Sequence, residues 1–102
     1  MGRSPREHPK RLASKLRHIR GALNLTQEQM SELLRQAKPS VRPGHVSELE
    51  RGLREPTLLM LLRYARLAGV TMESLVDDEV DLPDRLPISV KSKRQRRRNP
   101  QD

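Results

Sequence analysis

The hydrophobic residues that follow residue 8 recur at the spacing of an α-helix. They stand at i, i+4, i+7 and i+11, on one helical face: Leu12, Leu16, Ile19 and Leu23. Pro9 is suited to the first helical position, because the N–H that proline lacks would have no intrahelical partner there. The pattern therefore predicts a first helix that begins at Pro9 and loosens near Gly21 and Asn24.

End signals predict two further helices. Thr26 is a good N-cap, Gln29 completes a capping box with it, and this second helix is expected to run to Ala37. A short third helix is predicted over residues 43–51, and Gly52 is suited to the left-handed conformation that ends a helix. Its inward side carries Val46 and Leu49. Its outward side carries Gly44, His45, Ser47, Glu48 and Arg51.

Leucine dominates a fourth predicted helix, which begins at Thr57 and is closed by Gly69. One face is expected to be buried: Leu58, Leu61, Leu62, Ala65 and Ala68. A second apolar stripe is either covered by neighbouring helices or forms a dimer interface: Met60, Tyr64 and Leu67. Thr71 caps a fifth helix with an apolar side: Val70, Met72, Leu75 and Val76. Five short helices around a shared leucine core predict an all-α fold, since none would persist alone.

The two ends of the chain show no helical pattern. Residues 1–8 are predicted to form a disordered basic arm, residues 9–80 the folded domain, and residues 81–102 an extension with a basic tail. The acidic stretch 77–84 is expected either to be solvated or to cover that tail. An alternation of apolar residues suits a short strand that pairs across a two-fold axis: Leu86, Ile88 and Val90.

Composition restricts the class of protein. Of the 102 residues 33% are hydrophobic, and Tyr64 is the only aromatic residue, so any core is small and aliphatic. The longest apolar run, residues 58–62, is far shorter than the roughly 20 residues of a membrane span. The absence of cysteine excludes disulfides, thiol catalysis and thiolate zinc sites. No apolar signal segment follows Met1, and together these features predict a cytoplasmic protein without a membrane partner.

The charge of the chain indicates the chemistry of its partner. Lys and Arg number 21 against 13 Asp and Glu, which leaves a net charge of +8. Sixteen of the cations are arginine, whose guanidinium fits phosphate oxygens and guanine edges. The expected partner is therefore a polyanion. His8, His18 and His45 have no partners at metal-ligand spacing, and no nucleophile motif surrounds the serines, so we expect no metal, cofactor or catalysis.

Several of these segments resemble one family. The segments LRHIRGALNLTQEQMSELL and HVSELERGLREPTLLMLLRYARLAGVTMESLVDD are similar to the Xre family of helix-turn-helix regulators, which includes phage Cro and repressor domains. The resemblance spans about residues 12–78. It implies a repressor-like helix-turn-helix domain in which the second helix lies across the DNA backbone and the third enters the major groove.

The resemblance also implies roles for single residues. Arg20 and Glu50 match a pair that joins the first helix to the end of the third. Gln27, at the start of the second helix, is expected to bind a phosphate or to orient a base-reading side chain. The full set of predicted DNA-binding residues is Gln27, Lys38, Arg42, Gly44, His45, Ser47, Glu48, Arg51 and Arg54.

Two features depart from the family pattern. The connector, residues 35–43, is longer than the three or four residues of a tight turn; it is either a tolerated surface insertion or a basic loop that grips the DNA strand. The third helix opens with Pro43 and Gly44, neither of which can read a base. Base reading therefore falls to His45 and Glu48, with Arg42 as a candidate guanine reader.

These observations predict a sequence-specific DNA-binding transcriptional regulator, a repressor and homodimer of bacterial or phage origin that acts at the nucleoid. An alternative from another class is an antitoxin or adaptor that acts mainly through a protein partner, by way of its acidic segment or the fourth helix. A third interpretation is low-specificity coating of RNA or DNA by the basic tail.

Overall fold

The computed structural model describes residues 9–87, which form five α-helices. These are α1 (Leu12–Ala22), α2 (Gln27–Leu34), α3 (Pro43–Glu50), α4 (Leu58–Ala68) and α5 (Met72–Val76). The prediction of an all-α fold with five helices is confirmed. The predicted arm, the residues Ile88 and Val90 and the basic tail lie outside the described residues.

Three helices begin at a threonine whose hydroxyl accepts a hydrogen bond from the backbone N–H three residues on. The distances from oxygen to nitrogen are 3.0 Å at Thr26, 3.1 Å at Thr57 and 3.1 Å at Thr71. The Thr26 N–H donates in return to the Gln29 side chain at 2.9 Å, which completes the predicted capping box. Local chemistry therefore fixes the starts of α2, α4 and α5.

The start of α1 differs from the prediction. The helix begins at Leu12 rather than Pro9, and its N-cap residue, Arg11, makes no side-chain capping bond. The Asp78 carboxylate instead accepts hydrogen bonds from the N–H groups of Lys10 and Arg11, at 2.9 and 3.0 Å. These donors hold the pKa of Asp78 below its ordinary value. The cap of α1 thus comes from a residue that lies beyond α5 in the chain.

Left-handed residues end three of the helices. Gly52 and Gly69 have φ angles of 75° and 76°, as predicted for the glycines that close α3 and α4. Asn24 has a φ of 60°, and beyond it the Leu25 N–H donates to the Arg20 carbonyl at 3.2 Å. Asn24 therefore closes α1 tightly instead of loosening it, because asparagine tolerates the left-handed region.

The second helix is shorter than predicted and ends at Leu34 rather than Ala37. The N–H groups of Ala37 and Lys38 both donate to the Leu34 carbonyl, at 2.9 and 3.0 Å, and the chain turns here. Val41, which is 1% exposed, then anchors the connector in the core. The Arg35 Nε donates to the Val41 carbonyl at 3.0 Å and braces the same turn.

The core is aliphatic and contains most of the predicted apolar residues. Its largest fully buried side chains include Leu16, Ile19, Met30, Leu34, Val46, Leu49, Tyr64, Leu67 and Leu75. Met60, Tyr64 and Leu67 are at most 3% exposed, so of the two alternatives for this stripe the structure shows the one in which neighbouring helices cover it, and the dimer interface is wrong. Burial also raises the pKa of the Tyr64 phenol. Two residues predicted to be buried are exposed instead, Leu58 and Val76.

The acidic segment that follows α5 packs onto α1. The Nζ of Lys15, a residue only 4% exposed, donates to the carbonyl oxygens of Ser74, Asp77 and Val80 at 2.7, 2.9 and 2.7 Å. Burial lowers the pKa of Lys15. The Asp81 carboxylate pairs with Arg11, which lowers the pKa of Asp81. The segment is therefore packed on α1 rather than simply solvated, and the tail that it was alternatively expected to cover lies outside the described residues.

The packed region extends past residue 80, where the domain was predicted to end. Leu86 is 5% exposed and belongs to the core, and Leu82 packs partly against it. Residues 81–87 contain no strand, so within the described part of the chain the predicted strand is not formed. Leu86 is consequently not available to a two-fold partner.

Candidate nucleic-acid interface

The candidate interface is built on α2 and α3, which pack against each other, while α1 packs behind α3. Val46 and Leu49 are 0% and 1% exposed and hold α3 to the body of the domain, as predicted. Residues on the remaining sides of α3 are half-buried or exposed. The capped start of α2 lies beside the end of α3, since Gln27 reaches Glu50.

A hydrogen-bonded ion pair joins α1 to the end of α3. The Nε of Arg20 donates to Glu50 Oε2 at 2.6 Å, and its Nη2 donates to Oε1 at 3.0 Å. The Glu50 side chain is 3% exposed and that of Arg20 is 19% exposed. The hydrogen bonds to Glu50 raise the pKa of Arg20. A buried, two-point pair of this kind fixes the orientation of α3 relative to α1.

Gln27 and a second backbone group complete the surroundings of this pair. The Gln27 side-chain amide donates to Glu50 Oε1 at 3.2 Å, and Arg20 Nη1 donates to the Leu25 carbonyl at 2.8 Å. Gln27 is thus held at the first turn of α2, where the leading N–H groups have no intrahelical partners. The start of α2 therefore presents a positive helix end whose side chain is already oriented.

A shallow recess lies between these elements. It is lined by Arg17, Arg20, Gln27, Ser47, Glu50 and Arg51. Arg17 and Arg51 are exposed, whereas the charge of Arg20 is matched by Glu50. Arg17 was not among the predicted site residues; its position three residues before Arg20, on the same side of α1, is the signal that could have indicated it. The recess combines two exposed guanidinium groups with a helix N-terminus, which suits a phosphate.

Side chains on the outward side of α3 are engaged with their own helix. The Arg42 N–H donates to His45 Nδ1 at 3.2 Å, so the imidazole acts as the cap of α3 and keeps Nε2 for other partners. Ser47 Oγ accepts a hydrogen bond from Arg51 Nε at 3.2 Å. Gly44 is exposed, and nothing lies within 4 Å of the place where a Cβ would stand. The side chains of His45 and Ser47 therefore have restricted orientations.

Glu48 and Arg54 neutralise each other at the edge of this surface. Their side chains form an ion pair at 2.7 Å between Glu48 Oε1 and Arg54 Nε, and the hydrogen bond lowers the pKa of Glu48. The carboxylate stays ionised, but its charge is compensated within the protein. This pairing reduces the repulsion that Glu48 would exert on a phosphate.

The remaining predicted cations lie in or next to the connector. Lys38 and Arg42 are exposed, whereas the Arg35 side chain is hydrogen-bonded to the Val41 carbonyl.

Residues 9–87 contain no group of three side chains suited to a metal ion. Within the same residues, no helix has the length and apolar character needed to cross a membrane.

Comparison with known proteins identifies one family. The family model described as Helix-turn-helix matches residues 16–75, which is more than half of the chain and spans α2, α3 and α4 entirely. A search of curated proteins found no match, and a search of solved structures found none either.

Proposed function

Because the chain belongs to the Xre-like helix-turn-helix family, a family of DNA-binding regulators, we propose that it is a sequence-specific repressor that reads DNA with α3. In this proposal α2 lies across the phosphate backbone and α3 enters the major groove. The observation that carries it is the arrangement of Arg17, Gln27 and Arg51 around one recess at the start of α2. That recess supplies the backbone contact from which α3 is positioned.

The DNA contact proposed for each residue follows from whether its side-chain groups already have a partner within the described residues. Arg51, Arg17 and the start of α2 bind phosphate oxygens, while Lys38 and Arg42 contact the strand beside the groove. The open space at Gly44 allows α3 to approach the base edges closely. His45 Nε2 is the group on α3 that faces the bases, and Ser47, which lines the recess, contacts a phosphate. Arg54 acts mainly by compensating Glu48.

Repression by a homodimer is the form of regulation that this surface supports best. A single α3 of eight residues reads few base pairs, and two copies related by a two-fold axis read a palindromic site. A bound dimer obstructs transcription without any further activity. We place the protein at the bacterial or phage nucleoid on the strength of the family resemblance.

The electrostatic part of the proposal is tested by fluorescence anisotropy with a labelled duplex that the full chain has selected from a random pool. Log affinity is expected to fall linearly with log salt, with a slope of about −0.9 per neutralised phosphate. Replacing Arg51 with alanine should weaken binding about tenfold and make the slope shallower by about 1. Arg66, an exposed cation on α4, gives the matched control, and Arg66→Ala should change neither quantity.

Two results would contradict the proposal. A response that does not vary with salt would exclude a phosphate-dominated interface. An Arg66→Ala variant that loses as much affinity as Arg51→Ala would show that the contact is not made by the α2–α3 surface.

A further inference from the structure

The outward face of α4 carries apolar side chains where the solvent-facing side of a helix is usually polar. Four residues of this face follow the spacing i, i+3, i+4 and i+7 of one helical side: Leu59, Leu62, Arg63 and Arg66. Leu59 is 60% exposed and Leu62 is half-buried, while Leu58, 75% exposed, extends the apolar surface at the start of the helix. Exposed apolar groups that lie together mark interaction surfaces on soluble proteins.

The turn that follows α2 forms the opposite wall of a shallow groove along this face. Gln36 and Ala37 line the groove together with the four residues of α4, and we call it the α2–α4 groove. Arg63 Nε donates to the Leu33 carbonyl at 3.3 Å and so joins the two walls. The groove has a volume of about 210 Å³. Small-molecule pockets hold about 300–1,000 Å³, so the groove is better suited to side chains of a partner protein.

The α2–α4 groove is positively charged. Arg63 and Arg66 are the only charged residues of α4. Around the end of α2 there is one acid, Glu32, against two cations, Arg35 and Lys38. Within the described residues, the two Nη groups of Arg63 and the guanidinium of exposed Arg66 have no hydrogen-bond or ion-pair partner. Both arginines therefore have donors to offer to an anion.

This combination of charge and apolar surface discriminates between possible partners. A second copy that presents the same face would bring like charges against Arg63 and Arg66. The basic segments at the two ends of the chain would be repelled in the same way. A nucleic acid would neutralise the arginines, but its phosphate backbone offers nothing apolar to Leu59 and Leu62. An acidic segment that also carries apolar side chains matches both features.

We propose that the α2–α4 groove binds an acidic segment of a partner protein. Its carboxylates pair with Arg63 and Arg66, since a guanidinium binds a carboxylate through two parallel hydrogen bonds. Its apolar side chains contact Leu59 and Leu62, which are spaced like the anchors of a peptide-binding helix face. The groove shares no lining residue with the recess at the start of α2. Binding of this segment therefore does not require that the chain is a repressor.

Peptide selection on the immobilised full chain tests the proposal. A displayed library of random peptides is selected while a soluble double variant, Leu59→Glu with Arg66→Glu, competes for every peptide that binds elsewhere on the basic chain. Both positions are exposed, so the variant should fold, and circular dichroism checks this. The surviving peptides should be rich in Asp and Glu and carry apolar residues between them. If no peptide survives the competition, or the survivors lack acidic residues, the proposal is overturned.

Isothermal titration calorimetry with one selected peptide measures what the groove contributes. Arg66→Glu alone and Leu59→Glu alone should each weaken binding at least about fivefold, and the double variant at least about tenfold. The matched control is Val76→Glu with Arg85→Glu, which makes the same change in net charge at exposed positions outside the groove. It should change the affinity by less than about twofold. Equal losses from the two double variants would overturn the proposal, because the peptide would then respond only to net charge.

Backbone amide resonances of the ¹⁵N-labelled full chain separate this site from the DNA surface. The peptide should shift residues 36–37 and 59–66, and the selected duplex should not displace it. If the duplex displaces the peptide and shifts the same residues, the groove belongs to a nucleic-acid surface and the inference fails. If the peptide binds in the groove but the chain binds no duplex, the groove stands and the repressor proposal fails.

Discussion

Replacing Glu50 with alanine is expected to lower the free energy of unfolding by about 3–5 kcal/mol. The substitution leaves the Arg20 guanidinium, 19% exposed, without the carboxylate that binds it at 2.6 and 3.0 Å. It also removes the acceptor of the Gln27 amide. Small domains have a total stability of about 5–15 kcal/mol, so the loss is a large part of the whole.

Denaturant unfolding followed by circular dichroism measures this loss, and Glu48→Ala is its matched control. Glu48 stands on the same helix and also forms an ion pair, but its side chain is 38% exposed, so removing it should cost less than about 1 kcal/mol. Equal losses for the two variants would contradict a structural role for the buried pair. We also expect Glu50→Ala to weaken DNA binding under conditions where it is still folded, because α3 is no longer held against α1.

Replacing Lys15 with methionine is expected to cost about 2–3 kcal/mol of stability. Methionine keeps the apolar stem of the side chain but removes the ammonium group, which donates to three carbonyl oxygens at the end of α5 and beyond. The segment that carries the Asp78 cap of α1 loses its main attachment at the same time. The Lys15→Met substitution should therefore weaken two sets of contacts between α1 and the acidic segment, those of Lys15 itself and those of the Asp78 cap at the start of the helix.

Arg17→Met is the control for this second prediction, because Arg17 is an exposed cation on the same helix. Its substitution should change stability by no more than about 0.5 kcal/mol. For DNA binding, in contrast to stability, the larger effect should come from Arg17→Met. Lys15→Met should keep the salt dependence of the unmodified chain, whereas Arg17→Met should reduce it. If the Lys15→Met variant has unchanged stability, the three hydrogen bonds contribute no net free energy to folding, which would contradict the prediction.

Features encoded within a few residues of sequence were predictable. The threonine caps of α2, α4 and α5 and the glycines that close α3 and α4 depend on neighbours in the chain, and the structure has them where the sequence indicates. The contact between Arg20 and Glu50 spans 30 residues, and only the family resemblance indicated it. Periodicity alone contains no information about such a pair.

Features that depend on distant parts of the chain were not predictable. Lys15 and Asp78 are charged residues with polar residues near them in the sequence. Their hydrogen-bond partners lie 59 to 68 positions away along the chain. Val41 is buried in a segment without regular structure, so no period marks it. The alternation that includes Leu86 indicated a strand, whereas residues 81–87 bury Leu86 without forming one. In α4 nearly every position is apolar, and the structure buries residues of both stripes: Leu61, Ala65 and Ala68 from one, and Met60, Tyr64 and Leu67 from the other. The period therefore could not show that Leu58 is exposed.

Several side chains of the predicted DNA-binding site already have partners within the protein. His45 caps its own helix and Glu48 is held by Arg54, because α3 is short and its polar side chains find partners within one or two turns. Arg17 enters the site from α1, a helix on which no DNA-binding residue was predicted. The consequence is an interface whose affinity comes from phosphate contacts and whose specificity depends on few atoms of α3.

The central claim, that the α2–α3 surface contacts DNA, is tested most directly by titrating the ¹⁵N-labelled full chain with its selected duplex and following the backbone amide resonances. We expect the largest shifts at the start of α2, residues 26–28, and along α3 after its first residue, residues 44–50, with the amides of α4 after residue 60 and of α5 nearly unchanged. Shifts concentrated on α4 and α5, with the amides of α3 unaffected, would contradict the account.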